Sequence, residues 1–331
     1  MTKQLTRRLL GLMMMWTALL SLAFPALAAG GIEPEHPASL SLTYEADGRG
    51  ISGGTFRVYR FADISESGVY TRSGDFKDAP VSLFEMDNEK WTNLALTLAG
   101  YVNGSGIAPL ETQTTGANGE IAFETVTSTG LYLILGENHT ADGYLYRPAA
   151  FVVSLPTQDS DGNWVYDVTC EAKYERESRP DDEPDSSIVS ITAEKVWAGG
   201  GTHPEGATMQ LYRNGAACGS PVTLHAGNSW KCTWTGLDRD GDYTIAEMQV
   251  PEGYTVAVSR EGYAFTVTNT GGTDTPGSSD TPATPQKPGS PGTPRTGDES
   301  HPELWYGLMA ASGCGFAAML LLYLRRRRQS E

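Results

Sequence analysis

The chain has 331 residues with 24 basic and 40 acidic side chains, a formal charge of −16. That length suits two domains with additional segments. The charge deepens to −19 once the three bases before residue 29 and the four acids and four bases after Thr296 are set aside. A nucleic-acid binder needs a basic footprint and is excluded; a solvated, self-repelling surface accounts for the acidity.

The start, "MTKQLTRRLLGLMMMWTALLSLAFPALAAG", places Lys3, Arg7 and Arg8 before an apolar run that ends in Ala26-Leu27-Ala28. This order reads as a secretory signal peptide over 1–28, followed by a leader, 29–36. From 37 to 174 the residues alternate as in a β protein. "ASLSLTYEA", "GTFRVYRFADI", "GEIAFETV", "GLYLILGE", "AAFVVSLP" and "NWVYDVTCEAKY" are strand candidates bounded by Gly, Asp and Asn turns. One segment breaks the pattern: Trp91, Leu94, Ala95, Leu98, Tyr101 and Val102 recur at helical spacing. A single amphipathic helix is predicted on the sandwich or beside it.

The charged stretch "ERESRPDDEPDSS", 175–187, holds two prolines and reads as an acidic linker. The second piece, 188–270, has strand candidates in "SIVSITAEKVW", "ATMQLYRNG", "SPVTLHA", "SWKCTWTGL", "DYTIAEMQV" and "YAFTVTNT". The expected fold class is all-β: two Ig-like β-sandwich domains, the first with one added helix. Residues 271–297 are a Pro/Gly/Thr-rich spacer with too few apolar side chains for a core. Residues 304–324 carry no charge and are long enough for a transmembrane helix. Four arginines open the basic tail, 325–331, and keep that end cytoplasmic. Everything between signal and helix is expected outside the cell. Cys314 falls in the apolar segment, which leaves Cys170, Cys218 and Cys232 outside. An odd number does not make a disulfide framework, and pairing of Cys218 with Cys232 stays open.

Strand parity isolates three polar residues. Ile191, Ala193, Lys195 and Trp197 share one face of "ITAEKVW". By the same count Glu247 follows Tyr243 and Ile245, and Asn269 follows Phe265 and Val267. Burying an isolated charge costs several kcal/mol, as an order of magnitude, unless it is paired. One reading is a buried Lys195–Glu247 ion pair with Asn269 hydrogen-bonded nearby. The other is chemistry: desolvation lowers an amine pKa and raises a carboxyl pKa, so the pair can exchange a proton and become neutral. A neutral Lys195 amine is a nucleophile, the Asn269 carboxamide its electrophile, and Glu247 the group that polarises the carbonyl and shuttles protons.

Lys195 in "EKVW", Glu247 in "YTIAEMQVPEGYT" and Asn269 in "FTVTNT" resemble the Cna B-type (collagen-adhesin B) domains of Gram-positive surface proteins and pilins. "GATMQLYRNG" and "VTLHAGNSWKCTWTGL" extend the likeness over essentially all of 188–270. The resemblance implies an intramolecular isopeptide bond between Lys195 and Asn269, assisted by Glu247. In the first piece, "GGTFRVYRFADIS" and "GLYLILGENHTADGYLY" resemble the N-terminal domains of related pilin subunits, with Glu137 in a place comparable to Glu247. Its first strand, "SLSLTYEA", holds no lysine and its last holds no asparagine, so no crosslink of this type is expected there.

Two covalent handles follow from the same resemblance. "TPRTGDES" supplies Pro294, Arg295, Thr296 and Gly297, which resemble the P-x-T-G core of a sortase substrate, with Thr293 where a leucine is usual. An apolar span and a basic tail come next, as in such substrates, which implies cleavage of the Thr296–Gly297 amide and anchoring to peptidoglycan. "WVYDVTCEAK" resembles the pilin motif W-x-x-x-V-x-V-Y-P-K, with Trp164, Val168 and Lys173 in register and Cys170, Glu171 and Ala172 in place of Val, Tyr and Pro. The implied role of Lys173 is to accept the threonine carbonyl of the next subunit.

"DSDGNW" and "DRDGDY" place glycine fourth where a calcium loop needs it sixth; they read as Asp-Gly turns. No cofactor or metal is expected, and no enzyme either, since the self-crosslinking occurs once per molecule. Two functions remain. One is a structural subunit of a sortase-built pilus, with sortase, other pilin subunits and peptidoglycan as partners. The alternative is a wall-anchored adhesin that binds a host matrix protein or glycan through its N-terminal domain.

Overall fold

The computed structural model of the protein describes residues 30–178, 188–199 and 202–271. The readings made for the signal peptide, the sorting motif, the membrane helix and the basic tail fall outside these residues. No helix among the described residues is long and apolar enough to cross a membrane.

The first half is built from β1 (Ser39–Thr43), β2 (Thr55–Ile64), β3 (Tyr70–Arg72), helix α1 (Asn88–Ser105), β4 (Glu111–Thr114), β5 (Glu120–Phe123), β6 (Gly130–Gly136), β7 (His139–Ala141), β8 (Tyr144–Pro148), β9 (Phe151–Leu155), β10 (Asp167–Glu171) and β11 (Tyr174–Ser178). The first and last strands of its smaller sheet, β1 and β10, run parallel, with Leu42 opposite Cys170 and β5 on the other side of β1. The larger sheet has the order β9-β6-β2-β3, with β4 also on β2. Every residue of β6, "GLYLILG", is buried, because this sheet is covered on both sides. Phe56, Val58, Tyr132 and Ile134 face the smaller sheet. Tyr59, Phe61, Leu131 and Leu133 face α1.

Helix α1 begins at Asp87, whose carboxylate accepts the Lys90 N–H at 2.8 Å, and ends at Gly106 in a left-handed conformation (φ 65). Trp91, Leu94, Ala95, Leu98 and Val102 form the predicted stripe against the larger sheet. The helix also makes contacts that the stripe does not show. Leu96, Thr97 and Gly100 form a second face that packs on the other half of the molecule. The helix is enclosed from both sides.

Residues 175–178 also differ from the reading as linker: they belong to β11, which pairs with β8. Their charges are matched across strands, with Arg147 on Glu177 at 3.1 Å and Arg176 on Asp47 at 2.6 Å. Composition alone made this segment look like solvent-exposed connector.

The second half comprises β12 (Ile188–Ala198), β13 (Gly206–Arg213), β14 (Val222–His225), β15 (Lys231–Asp238), β16 (Tyr243–Glu247), β17 (Tyr254–Glu261) and β18 (Ala264–Gly271). One sheet has the order β15-β12-β18-β17; the other centres on β13, between β14 and β16. First and last strands again run parallel: Lys195 lies opposite Val267 and Trp197 opposite Asn269. Strand β17 was not among the predicted elements, although Tyr254, Val256 and Val258 alternate in its sequence. The core is a single cluster that includes Ile191, Ala193, Met209, Leu211, Ile245, Phe265 and Val267.

Candidate functional site

The inward row of β12 carries Lys195 into this core, where its side chain is 0% exposed. Its ammonium nitrogen lies 3.2 Å from the Val196 carbonyl oxygen, 3.4 Å from that of Val267 and 3.6 Å from Glu247 Oε2. Glu247 ends β16 on the opposite sheet, its carboxyl equally buried. On β18, Asn269 donates from Nδ2 to Glu247 Oε1 at 3.0 Å. The glutamate thus sits between the lysine and the asparagine and touches both.

Electrostatics follow from the enclosure. Burial pulls the Lys195 amine down to about 8, and the Glu247 carboxylate opposes that shift without cancelling it. Burial pushes the Glu247 carboxyl up, against the pull of Lys195 and Asn269. Both groups are driven toward their neutral forms. Asn269 Oδ1 and Glu247 Oε2 are buried without a hydrogen-bond partner among the described residues, and such atoms are destabilising unless a further interaction is made.

An aromatic rim closes the site. Lys195 Nζ lies 4.1 Å from the centre of the Trp197 ring, within cation–π range. Trp197 stacks on His203 (4.8 Å between centroids) and meets Trp230 and Tyr254 edge-on (5.8 and 5.4 Å). Ser229 and Trp230 both adopt left-handed backbone, φ 55 and 59, a strained state for a bulky side chain. The Trp230 carbonyl accepts the Lys195 N–H at 2.9 Å, so this turn seats the lysine-bearing residue. Parity located the trio, but no local signal in "AGNSW" marks Trp230 as part of its wall.

The first half lacks such a site. The inward residues of its parallel strands β1 and β10 are Leu40, Leu42 and Cys170, with Tyr44 and Ala172 just beyond. Glu137 is half-exposed beside Arg57 at 3.6 Å. Tyr44 is fully buried, and its hydroxyl has no hydrogen-bond partner among the described residues. Tyr44→Phe is therefore expected to raise stability by about 1 kcal/mol in denaturant unfolding, because it removes a desolvated hydroxyl and leaves the ring. A loss of stability would mean that the hydroxyl is satisfied.

Lys173 is exposed between β10 and β11, 3.1 Å from the Glu171 carboxylate. It takes no part in the buried trio. Pro294, Arg295, Thr296 and Gly297 lie outside the described residues. Cys170, Cys218 and Cys232 are free thiols. The Asp159 carboxylate accepts the N–H groups of Asp161 and Asn163 (2.9 and 2.8 Å), as a tight turn does. No group of three or more His, Cys, Asp or Glu among the described residues could hold a metal ion.

The described residues thus form two β modules, each with one parallel strand pair, and the second encloses lysine, glutamate and asparagine. Residues 35–170 match the family model for the Gram-positive pilin subunit D1, N-terminal domain, and residues 191–270 that for the Cna protein B-type domain. The first module is a pilin D1 domain and the second a Cna B-type domain. Both families are structural rather than catalytic.

Among solved structures, a single B repeat unit of the collagen-binding surface protein Cna of Staphylococcus aureus is similar at 17% identity, covering 71% of this chain and 97% of that one (TM-score 0.24). GBS52, the minor pilin of Streptococcus agalactiae, is 18% identical over 76% of this chain and 100% of that one (TM-score 0.23). The full-length major pilin SpaD of Corynebacterium diphtheriae is 16% identical over 73% of this chain and 66% of that one (TM-score 0.28). A search of curated proteins finds no match.

Proposed function

We propose that the protein is a pilus subunit, assembled by a sortase and stapled by one internal amide. The buried contact of Glu247 with both Lys195 and Asn269 carries this reading. With the pair neutral, the Lys195 Nζ lone pair attacks Asn269 Cγ. Rotating the carboxamide by half a turn puts Oδ1 where Nδ2 stands, and the protonated Glu247 then donates to it and polarises the carbonyl. The Nζ–Cγ bond forms, the Cγ–Nδ2 bond breaks, and the proton lost by Nζ passes through Glu247 to the departing nitrogen, which leaves as ammonia. No oxidant or cofactor enters the balance.

In this reading residues 1–28 are removed on export. Residues 37–174 are the pilin-like domain, 188–270 the stapled domain and 271–297 the spacer. The helix at 304–324 holds the precursor in the membrane until sortase cleaves Thr296–Gly297 and passes Thr296 to another subunit or to peptidoglycan. Lys173, exposed at the end of the first domain, is the acceptor for the threonine carbonyl of the next subunit. An element added to a sandwich often carries recognition, but α1 is enclosed between two domains, which weighs against the adhesin alternative.

Lys173→Arg in the native host is expected to abolish the covalent ladder on denaturing gels while wall-anchored monomer remains. Ladders that persist in the variant would remove Lys173 from the scheme. A wild-type protein found only as wall-bound monomer that retains a matrix protein or glycan would favour the adhesin.

A further inference from the structure

We propose that the first domain positions the reacting groups of the second: helix α1 bridges the open side of its sandwich and fixes the strand that bears Glu247 relative to the strand beside Asn269. The proposal rests on the stapling reading above and adds a role for residues outside the stapled domain.

The three groups are divided between the two sheets. Lys195 and Asn269 belong to the sheet of β12 and β18; Glu247 belongs to the sheet of β13 and β16. Their mutual distances therefore depend on how the sheets sit against each other. β17 is the edge of one sheet and β16 flanks β13 at the edge of the other, so the sandwich is open between them. α1 lies against both.

Toward β16, Gly100 allows contact without a side chain: a Cβ there would overlap the Ile245 carbonyl oxygen. Gly104, one turn on, faces the Tyr212 hydroxyl, which a Cβ would meet at 3.2 Å. A glycine inside a helix costs about 1 kcal/mol relative to alanine, so a close approach explains Gly100 better than helix propensity does. Between them on this side, Asn103 Nδ2 donates to Thr244 Oγ1 at 2.7 Å. Ile245 and Thr244 lie just before Glu247 on the same strand.

Toward β17, the Thr97 hydroxyl accepts the Val258 N–H at 2.7 Å and donates to the Asn93 carbonyl at 2.6 Å. The Pro80 carbonyl accepts the Val256 N–H at 2.7 Å. These two amides would otherwise be open edge positions. They belong to the residues that pair with Asn269 and with Val267, whose carbonyl faces Lys195 Nζ. Leu96, between the two contacts, packs into the core of the second domain. The helix thus grips one strand of each sheet at the level of the trio. Bond formation requires near-attack geometry, and a displacement of about 1 Å can slow such a step roughly a hundredfold.

The test is a time course of intact mass on the freshly synthesised full chain, following loss of one ammonia. Thr97→Val keeps the shape and removes the acceptor; it is expected to slow the loss about tenfold or more. Thr97→Ser should restore the wild-type rate, which a general loss of packing would not predict. Gly100→Leu, which forces the helix away from β16, should be slower still. Circular dichroism identifies a variant that has failed to fold, and the isosteric Thr97→Val then decides. Wild-type rates in folded Thr97→Val and Gly100→Leu would overturn the positioning role. A wild-type chain that never loses ammonia would instead overturn the stapling reading beneath it.

Discussion

The protein purified from its folded state is expected to weigh one ammonia less than its sequence, and Asn269→Ala is expected to abolish that deficit. Lys195→Ala should do the same, since either change removes one end of the amide. Glu247→Ala keeps both ends but removes the proton carrier, and the loss should slow by about 10²–10⁴-fold, the usual contribution of such a group. The consequence for stability is large. A link between residues 195 and 269 constrains the unfolded chain as a disulfide of that loop length would, by about 4 kcal/mol. For a domain of this size that corresponds to a melting point roughly 15–30 °C above that of Asn269→Ala. An unshifted mass in the native protein, with the lysine and asparagine recovered on separate peptides, would sink the proposal.

A second large effect appears when the unlinked Asn269→Ala protein is titrated. Lys195 remains buried as a free amine, and burial holds its pKa near 8 against an ordinary value of 10.5. Below pH 8 the amine is charged in both folded and unfolded states, and the full penalty of a buried ammonium is present. Between pH 8 and 10.5 the unfolded chain still binds a proton that the folded one has released, so stability rises with pH. The gain is about 3 kcal/mol, as an order of magnitude. Glu247 acts lower on the scale and in the opposite sense. Its raised pKa lets the folded state keep a proton that the unfolded state has lost, so stability falls as pH climbs past the ordinary carboxyl range. Urea unfolding across pH should therefore show a trough that recovers above pH 8. The linked wild type has no titrating amine at 195 and should lack that recovery. A flat profile in Asn269→Ala between pH 8 and 10.5 would mean that the lysine reaches solvent.

Alternation exposed the second sandwich because its strands are buried on one face, which forces period-two patterning on Ile191, Ala193 and Lys195 alike. The same rule made an inward lysine conspicuous in the sequence. It did less well in the first domain, where β4 and β7 are short and carry Glu111 and His139. Such strands look polar because pairing, rather than burial, holds them. For β11 the deception was charge: "ERES" reads as linker until Arg147 and Asp47 are seen opposite it. The stripe from Trp91 to Val102 showed the helix but only one of its two faces. Apart from Leu96, the second face is written in small residues, Thr97, Gly100 and Gly104, which hydrophobic periodicity does not register. The site divides in the same way. Its three buried polar residues follow from parity, whereas the Trp230 turn and the contact between domains depend on distant residues meeting.

The parallel pairing of β12 with β18, the first and last strands of the second domain, has a mechanical consequence. A pull that draws the start of β12 one way and the end of β18 the other slides these neighbours along their common length. All their hydrogen bonds are stressed together instead of opening one at a time. With Lys195 bonded to Asn269, the tension leaves β12 at residue 195 and enters β18 at residue 269, so the fold between them carries none of it. If the next subunit is attached at Lys173, the first domain hangs beside the stressed line, held to it through α1. In a fibre loaded this way the first domain would stay folded.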